Sequence, residues 1–129
     1  MGDALKITPV LHSNLRQDLI RSYFPNGTWV STNNFSEIIT TDPTKPGEWK
    51  YLFVPTGKDE TVNVHLRPGY LFPWLDNSVN TFLNVPDLIA NARLSLIVNR
   101  DTNGMAEGKL YMGNGNESKP VRDKEDQFY

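Results

Sequence analysis

The sequence VHLRPGYLFPW, residues 64–74, places two strand-like runs on either side of a turn signal. The runs VHL and YLF have the alternating or apolar character of strands, whereas Arg67, Pro68 and Gly69 have the character of a turn. Because proline holds φ at about −65°, any positive φ in this turn is expected at Gly69. The stretch predicts a corner in a β-sheet, with Arg67 holding the turn through a carboxylate or through carbonyl groups.

Similar short runs occur along most of the chain and predict an all-β fold. Glycine, proline and asparagine separate them, and no window of about 11 residues carries a helical stripe. Residues 85–93 come nearest to a helix and could hold a single turn after Pro86. The pattern is typical of an antiparallel β-sandwich or barrel. The predicted strands are Leu5–Val10, Leu19–Phe24, Thr28–Val30, Phe35–Thr40, Glu48–Val54, Thr61–Leu66, Tyr70–Phe72, Asn77–Val85, Ala92–Val98 and Met105–Met112.

Two of these strands carry more specific predictions. In Leu19–Phe24 the alternation places Leu19, Arg21 and Tyr23 on one side and the other three residues on the opposite side. Ala92–Val98 is expected to be the best buried strand of the chain.

Length and composition exclude several classes of protein to which this chain could belong. The chain has 129 residues, which predicts a single domain over residues 1–129. Thirteen basic and 15 acidic residues give a formal net charge of −2, without a general attraction to nucleic acid or anionic membranes. The absence of cysteine excludes disulfides, thiolate metal sites and cysteine nucleophiles. No apolar run could span a bilayer, and the N-terminus lacks a signal-peptide pattern and begins abruptly, as if cut from a longer chain.

Neither histidine lies in a catalytic or metal-binding motif. His12 and His65 stand alone, and the sequence contains no GxSxG and no HExxH. Each is expected to be a solvated or hydrogen-bonded bystander. The alternation within the strand places His65 on the side opposite Val64 and Leu66.

The acidic residues form no recognisable catalytic pair. Glycoside hydrolysis needs two carboxylates, one to donate a proton and one to attack or to activate water. The acids here lie in loops, where solvated charge is the usual outcome, and the GNGN run at 113–116 is interpreted as a turn because no phosphate-binding helix follows it. From the residues alone we predict no catalytic site, no cofactor and no metal. The acids concerned are Asp42, Asp59, Glu60, Asp76, Asp87, Asp101 and Glu107.

Aromatic and asparagine side chains leave two further possibilities open. Trp49 and Trp74 could stack on sugar rings through their flat apolar faces, or could pack in the core and between strands. Sequons for N-glycosylation occur at Asn26, Asn34 and Asn116, of which roughly one or two would arise by chance. They favour a secretory route only slightly, and the lack of cysteine does not settle the compartment.

Four segments, taken in order, resemble stretches of one known family. Gly2–Leu11 is similar to a segment that leaves the last strand of a catalytic barrel, and YFPNGTWV at Tyr23–Val30 is similar to a YLP-x-G-x-W-Y stretch. Val62–Thr81 resembles hlRGGyilP-q-p-a-nT, and Leu94–Met112 resembles l-l-i-a-l-d-e-n-g-x-A-x-G-x-L-f-w. The family is glycoside hydrolase family 31, and the resemblance is close to its maltase, sucrase-isomaltase and lysosomal α-glucosidase branch.

The resemblance implies that the chain is the proximal C-terminal β-sandwich of an α-glucosidase-like protein. In the family this domain packs on a (β/α)₈ barrel, whose catalytic aspartates lie in motifs that this chain does not contain. The implied partners are that barrel and an α-glucoside, with no nucleic acid and no membrane, and a secretory or lysosomal parent is favoured. Residues 1–11 would be the exit segment of the barrel's last strand. Residues 119–129 would form a polar tail that completes the last strand or frays.

The chain departs from the family's pattern at two places. The paired glycine after the arginine is Pro68-Gly69 here, and the run w-D-D-G-E becomes Met112–Asn116, with three carboxylates lost. The side chains that would make any polar clasp or ion contact through those acids in relatives are therefore absent from this chain. The divergence indicates a remote homologue, or one whose parent enzyme has drifted or lost activity.

Three functions follow from this reading and remain open. The first is a non-catalytic accessory domain of a family 31 enzyme. The second is a free-standing module that binds carbohydrate or protein, which exposed and coplanar Trp49 and Trp74 would favour. The third is an independent enzyme, for which no acid, base and nucleophile can be assembled. A contiguous exposed apolar patch of roughly several hundred Å² would favour the first, because such a domain exposes the face that its barrel covers.

Overall fold

The computed structural model describes residues 2–11, 18–54, 62–76 and 83–111. It confirms the all-β, antiparallel, sandwich-like class, with one short helix. The strands are β1 (Leu5–Thr8), β2 (Leu19–Pro25), β3 (Thr28–Ser31), β4 (Ile38–Thr40), β5 (Gly47–Phe53), β6 (Asn63–Leu66), β7 (Tyr70–Asp76) and β8 (Arg93–Asn99), and the helix is α1 (Val85–Asn91).

The strands form three sheets within two compact units. The described residues up to Leu71, with Val98–Ala106, form the first unit, and Phe72–Ile97 with the residues from Glu107 form the second. The first unit holds a four-stranded sheet in the order β1-β6-β3-β4 and a two-stranded sheet of β2 and β5. β7 and β8 pair with each other in a third sheet, and α1 lies between them in sequence. That residues 1–129 form a single domain stays a prediction.

The core of the first unit lies between its two sheets, and the two sides predicted for β2 are an inner and an outer side. Ile20 and Phe24 point inward from β2 and pack with Trp29 of β3 and Leu52 of β5. The edge of the Phe24 ring meets the Trp29 ring, with the centroids 5.7 Å apart. The Trp29 indole Nε1 donates to the Pro25 carbonyl at 2.9 Å, so its one polar group is satisfied inside the core.

Residues 64–74 join two different sheets. β6 pairs with β1 and β3, whereas β7 pairs with β8, so the two strands do not form a hairpin. Gly69 has φ 86°, a left-handed value that glycine adopts without a side-chain clash. Its N–H donates to the Asn99 carbonyl at 2.7 Å, and the buried Asn99 side chain donates to the Leu66 and Thr28 carbonyls at 2.9 Å each. These bonds satisfy backbone groups at the point where the chain leaves the four-stranded sheet.

Several predictions about individual elements are wrong. β8 confirms the strand at Ala92–Val98, but Leu94, Leu96 and Val98 are 39%, 55% and 52% exposed. Among the described strands β8 pairs only with β7, and its burial pattern shows that Asn99 alone is buried.

The segments on either side of β8 also differ from prediction. At the end of the predicted strand Asn77–Val85 the structure has the start of a helix. The Asn84 side chain accepts from the Asp87 N–H at 2.9 Å and caps α1. Residues 77–82 lie outside the described residues. α1 is two turns long, which exceeds the single turn expected. Residues 105–111 form no strand and contain only isolated bridge residues, Glu107 and Tyr111.

Replacing Arg67 with methionine is expected to change stability by no more than about 0.5 kcal/mol. The side chain is exposed, its Nη1 lies 3.5 Å from the Asp3 carbonyl, and its guanidinium carbon lies 5.6 Å from the Tyr70 ring centroid. No buried network depends on these contacts. Urea unfolding of both proteins would check the expectation, with Leu66→Ala as a control at a neighbouring buried position. A loss of several kcal/mol on Arg67→Met would show that the arginine does support the turn.

Among the described residues, no helix has the length and apolar character needed to cross a membrane.

Candidate functional site

The outer side of the β2–β5 sheet carries a set of large side chains that we term the aromatic face. Antiparallel register places Tyr23 opposite Trp49 and Arg21 opposite Tyr51, and Phe53 follows two residues further along β5. Strand alternation puts all five on the side opposite the core. The aromatic face therefore comprises Arg21, Tyr23, Trp49, Tyr51 and Phe53.

The side chains of the aromatic face are more exposed than large apolar side chains usually are. Trp49, Tyr51 and Phe53 are 56%, 70% and 73% exposed, although each is a large apolar or amphipathic side chain. The charged residues of β5, Glu48 and Lys50, alternate onto the other side and form an ion pair at 3.0 Å. An antiparallel sheet with one solvated face normally carries polar residues there, so this composition indicates a face that another surface covers.

Arg21 and Trp49 form the central contact of the aromatic face. The guanidinium carbon of Arg21 lies over the Trp49 ring, 4.8 Å from its centroid. Tyr23 meets the same ring edge-on, with the centroids 5.5 Å apart and the planes inclined at 65°. A guanidinium over an indole is held by a cation–π attraction. Because the arginine covers the indole and the neighbouring ring is steeply tilted, these rings do not form a flat sugar-stacking platform.

The other sequence-predicted site residues belong to other elements or lie outside the described residues. Trp74 is on β7, in the second unit, and is 42% exposed. Asn26 is exposed, but its Nδ2 donates to the Asp42 and Lys45 carbonyls at 3.0 and 2.8 Å and so closes a loop. Asn34 is exposed and accepts from the Ser36 N–H through its Oδ1 at 3.1 Å. Asn116 lies outside the described residues.

The acids before and in β5 form a small ion-pair network around lysines. The Lys45 ammonium lies 3.6 Å from Asp42 and 3.7 Å from Glu48, and Lys50 lies 3.0 Å from Glu48. Hydrogen bonds from Thr44, with the charge of Lys45, lower the pKa of Asp42. The hydrogen bond from Lys50, then that from the Asp42 N–H, lower the pKa of Glu48. Both carboxylates are stabilised in the ionised form, whereas a general acid needs a raised pKa.

Two further acids serve local backbone structure. Asp87 accepts from the Leu83 N–H at 3.1 Å and from the Asn91 amide at 2.7 Å, at the start of α1. Asp101 accepts from the Asn103 and Met105 N–H groups at 2.9 Å each and so holds a turn. Asp59 and Glu60 lie outside the described residues. Among the residues that the structure describes, no group of three or more histidine and acidic side chains could hold a metal ion.

A buried polar cluster between the two sheets was missed by the sequence analysis. Lys6 donates to Thr8 at 3.0 Å and to Ser22 at 2.7 Å, and the two hydroxyls lie 3.0 Å apart. Lys6 is the direct cross-strand partner of His65, and both contact the Phe24 ring. No signal in the sequence indicated the cluster. It depends on the contact of β1 with β2 and on the pairing of β1 with β6, which places Lys6 opposite His65.

His65 is not the bystander that was expected. It is 1% exposed, and neither ring nitrogen has a hydrogen-bond partner among the described residues. Burial first, and then the charge of Lys6, lower its pKa from 6.5 to about 4. Leu66, the next residue, is fully buried, so both sides of β6 are covered at this point. Burial of both sides explains why simple alternation gave the wrong surroundings for the histidine.

Comparison with known proteins shows that the chain is similar to short stretches of glycosidases. It is 31% identical over 115 residues to the probable maltase-glucoamylase 2 of Homo sapiens, which covers 89% of this chain. It is 31% identical over 124 residues to the lysosomal alpha-glucosidase of Bos taurus, covering 88% of this chain. The intestinal sucrase-isomaltase of Homo sapiens is 27% identical over 114 residues and also covers 88%. The chain is a relative of the family 31 glycoside hydrolases.

The relationship concerns a small part of each family member. This chain spans 4% of the length of the maltase-glucoamylase, 12% of the lysosomal enzyme and 5% of the sucrase-isomaltase. No family model matches the chain. The stretches that match this chain thus lie within much longer glycosidase chains.

Proposed function

We propose that this chain is a non-catalytic accessory domain of a family 31 α-glucosidase-like protein, which packs on and supports a catalytic barrel. The observation that carries the proposal is its homology to a small segment of much longer glycosidases, combined with an all-β architecture. The parent would cleave terminal α-linked glucose through two carboxylates located elsewhere in its chain.

The ion pairs and hydrogen bonds of the acidic side chains support the proposal that the domain is non-catalytic. Of the described carboxylates, Asp42 and Glu48 are paired with lysines and have lowered pKa values. Asp87 and Asp101 bind backbone N–H groups within a cap and a turn. A retaining glycosidase needs an acid with a raised pKa beside a second carboxylate at about 5–5.5 Å, and these four acids have other roles.

The exposed tryptophan on β5 favours a second candidate, a carbohydrate-binding module. Trp49 is 56% exposed and has Tyr51 and Phe53 along the same strand. The position of Arg21 over its ring weighs against this candidate, because a sugar would have to displace the guanidinium. The two candidates predict different behaviour of the isolated chain toward maltose.

The isolated chain is expected to release no p-nitrophenol from p-nitrophenyl α-glucoside and to show no chemical-shift change with maltose or isomaltose. An α-glucosidase assayed in parallel controls for the substrate, and an NMR spectrum with dispersed amide signals controls for folding. Turnover by the purified chain would contradict the accessory role and would require a pair of carboxylates. Shifts confined to Trp49 and its neighbours, without turnover, would favour the carbohydrate-binding module.

A further inference from the structure

The aromatic face has the composition of the centre of a protein–protein interface. Interface centres are enriched in tryptophan, tyrosine, phenylalanine and arginine and are depleted in lysine and acidic residues. The outward positions of β2 and β5 follow this pattern and include no lysine, aspartate or glutamate. They are Leu19, Arg21, Tyr23, Pro25, Gly47, Trp49, Tyr51 and Phe53.

Arg21 is the charged group of this face and indicates the chemistry of what covers it. Its guanidinium lies against Trp49, and none of the ion pairs among the described residues includes it. Covering an arginine without a carboxylate or other acceptor would leave its donors unsatisfied, which is unfavourable. The covering surface should therefore bring a carboxylate to Arg21 and apolar side chains to Tyr51 and Phe53.

A second copy of this chain fits that requirement poorly. A symmetric contact would bring two Arg21 side chains to a surface without acidic groups. A sugar fits poorly as well, since the arginine already occupies the Trp49 ring. The relatives supply another partner, because their matched stretch is only 4% to 12% of a continuous chain.

We infer that the aromatic face is the surface through which this domain packs on the remainder of a parent glycosidase chain, where Arg21 meets a carboxylate. The inference rests on the proposed function and adds the surface and the partner chemistry to it. Tyr51 and Phe53, which are 70% and 73% exposed in this chain, would be covered in the parent. Their removal should then weaken the parent while leaving the isolated domain intact.

The test inserts all 129 residues into the alpha-glucosidase of Schizosaccharomyces pombe, in place of the stretch to which this chain is 30% identical. The double variant Tyr51→Ser with Phe53→Ser should lower the thermal midpoint of this hybrid enzyme by about 4 °C or more. Arg21→Glu should lower it similarly, and Arg21→Lys should lower it less. In the isolated chain the same variants should change the midpoint by less than about 2 °C.

Ile38→Ser is the matched control. Ile38 is 57% exposed on β4, in the other sheet, and its substitution should change neither the hybrid nor the isolated chain. If the aromatic-face variants behave like this control in a folded, active hybrid, the inference is overturned and the proposed function stands. A hybrid that neither folds nor hydrolyses maltose, beside an active native enzyme, contradicts the proposed function itself. Two other outcomes would also overturn the inference, provided that the hybrid is unchanged by the variants. If the isolated chain dimerises and Tyr51→Ser abolishes the dimer, the face binds a second copy. If the isolated chain binds maltotriose and Tyr51→Ser abolishes the binding, the face binds a sugar.

Discussion

Replacing Phe24 with alanine is expected to lower the free energy of unfolding by about 3–5 kcal/mol, the range measured for phenylalanine truncations in protein cores. Phe24 is fully buried between the two sheets of the first unit. Its ring centroid lies 5.7 Å from that of Trp29 and 5.0 Å from that of His65, and the Lys6 ammonium lies 4.9 Å away. Truncation therefore removes apolar area, leaves a cavity and exposes a lysine to that cavity.

A loss of this size is a large fraction of the stability of a small domain, which is about 5–15 kcal/mol. Urea unfolding followed by far-ultraviolet circular dichroism would measure it. Phe24→Leu retains much of the buried area and should fold with a loss of about 1–2 kcal/mol, so it remains informative if the alanine variant is unfolded.

The matched control for Phe24→Ala is the same substitution on the opposite side of the sheet. Phe53 belongs to the same two-stranded sheet but is 73% exposed, so Phe53→Ala should lose less than about 1 kcal/mol in the isolated chain. Equal losses at the two positions would contradict the assignment of inner and outer faces, and with it the position of the aromatic face.

Acidification from pH 7 to pH 5 is expected to lower the free energy of unfolding by about 2 kcal/mol, because of His65. Burial and the charge of Lys6 lower the pKa of this histidine to about 4, against 6.5 ordinarily. Between these two pH values the unfolded chain binds a proton that the folded chain does not. Stability from this residue is therefore complete above pH 6.5 and is lost progressively as the pH falls toward 4.

Among the described residues, the groups packed against His65 include no carboxylate. Lys6 is its partner across β1, and Ser31 is its partner across β3. Phe24 of β2 packs its ring against the imidazole, and Ser22 lies in the same polar cluster. The lowered pKa values of Asp42 and Glu48 affect stability at more acidic pH, so the interval from pH 7 to pH 5 isolates the histidine.

Urea titrations at half-unit intervals of pH would measure this effect. His65→Leu should remove the dependence between pH 7 and pH 5, since it replaces an imidazole whose nitrogens have no hydrogen-bond partner among the described residues by an apolar side chain. The chain has two histidines, so His12→Gln is the control and should keep the dependence. Equal stability of the unmodified chain at pH 7 and pH 5 would mean that the folded protein accommodates the imidazolium.

Much of the strand pattern could be predicted from sequence, whereas the surroundings of particular residues could not. The alternation of Leu19–Phe24 separated its two sides correctly, and the packing of one side on a second sheet decided which of them is the inner side. The same rule failed for β6, where His65 and Leu66 are both buried. The expectation that β8 is well buried also failed. Leu94, Leu96 and Val98 are exposed, because burial depends on what covers a strand and not on its own hydrophobicity.

The candidate site was predicted in part. The sequence indicates Trp49 as a residue that could stack on a sugar or pack between strands, but its association with Arg21 and Tyr23 depends on the register of β2 with β5, which the sequence does not show. Trp74 was paired with Trp49 by residue type alone, and the two lie in different units. The cluster of Lys6, Ser22 and His65 was not predicted, because hydrophobic periodicity contains no information about which strands become neighbours.

By itself the sequence determined the class of the fold, the turn chemistry and the relationship to family 31, since these follow from local alternation, from glycine and proline, and from motifs in order along the chain. Tertiary structure alone decided which faces are covered. Strand pairing over long separations placed a buried histidine beside a half-buried lysine and gathered four aromatic rings and an arginine on one exposed face. The physical reason is that burial and pKa are properties of a residue's neighbours, and those neighbours come from distant parts of the chain.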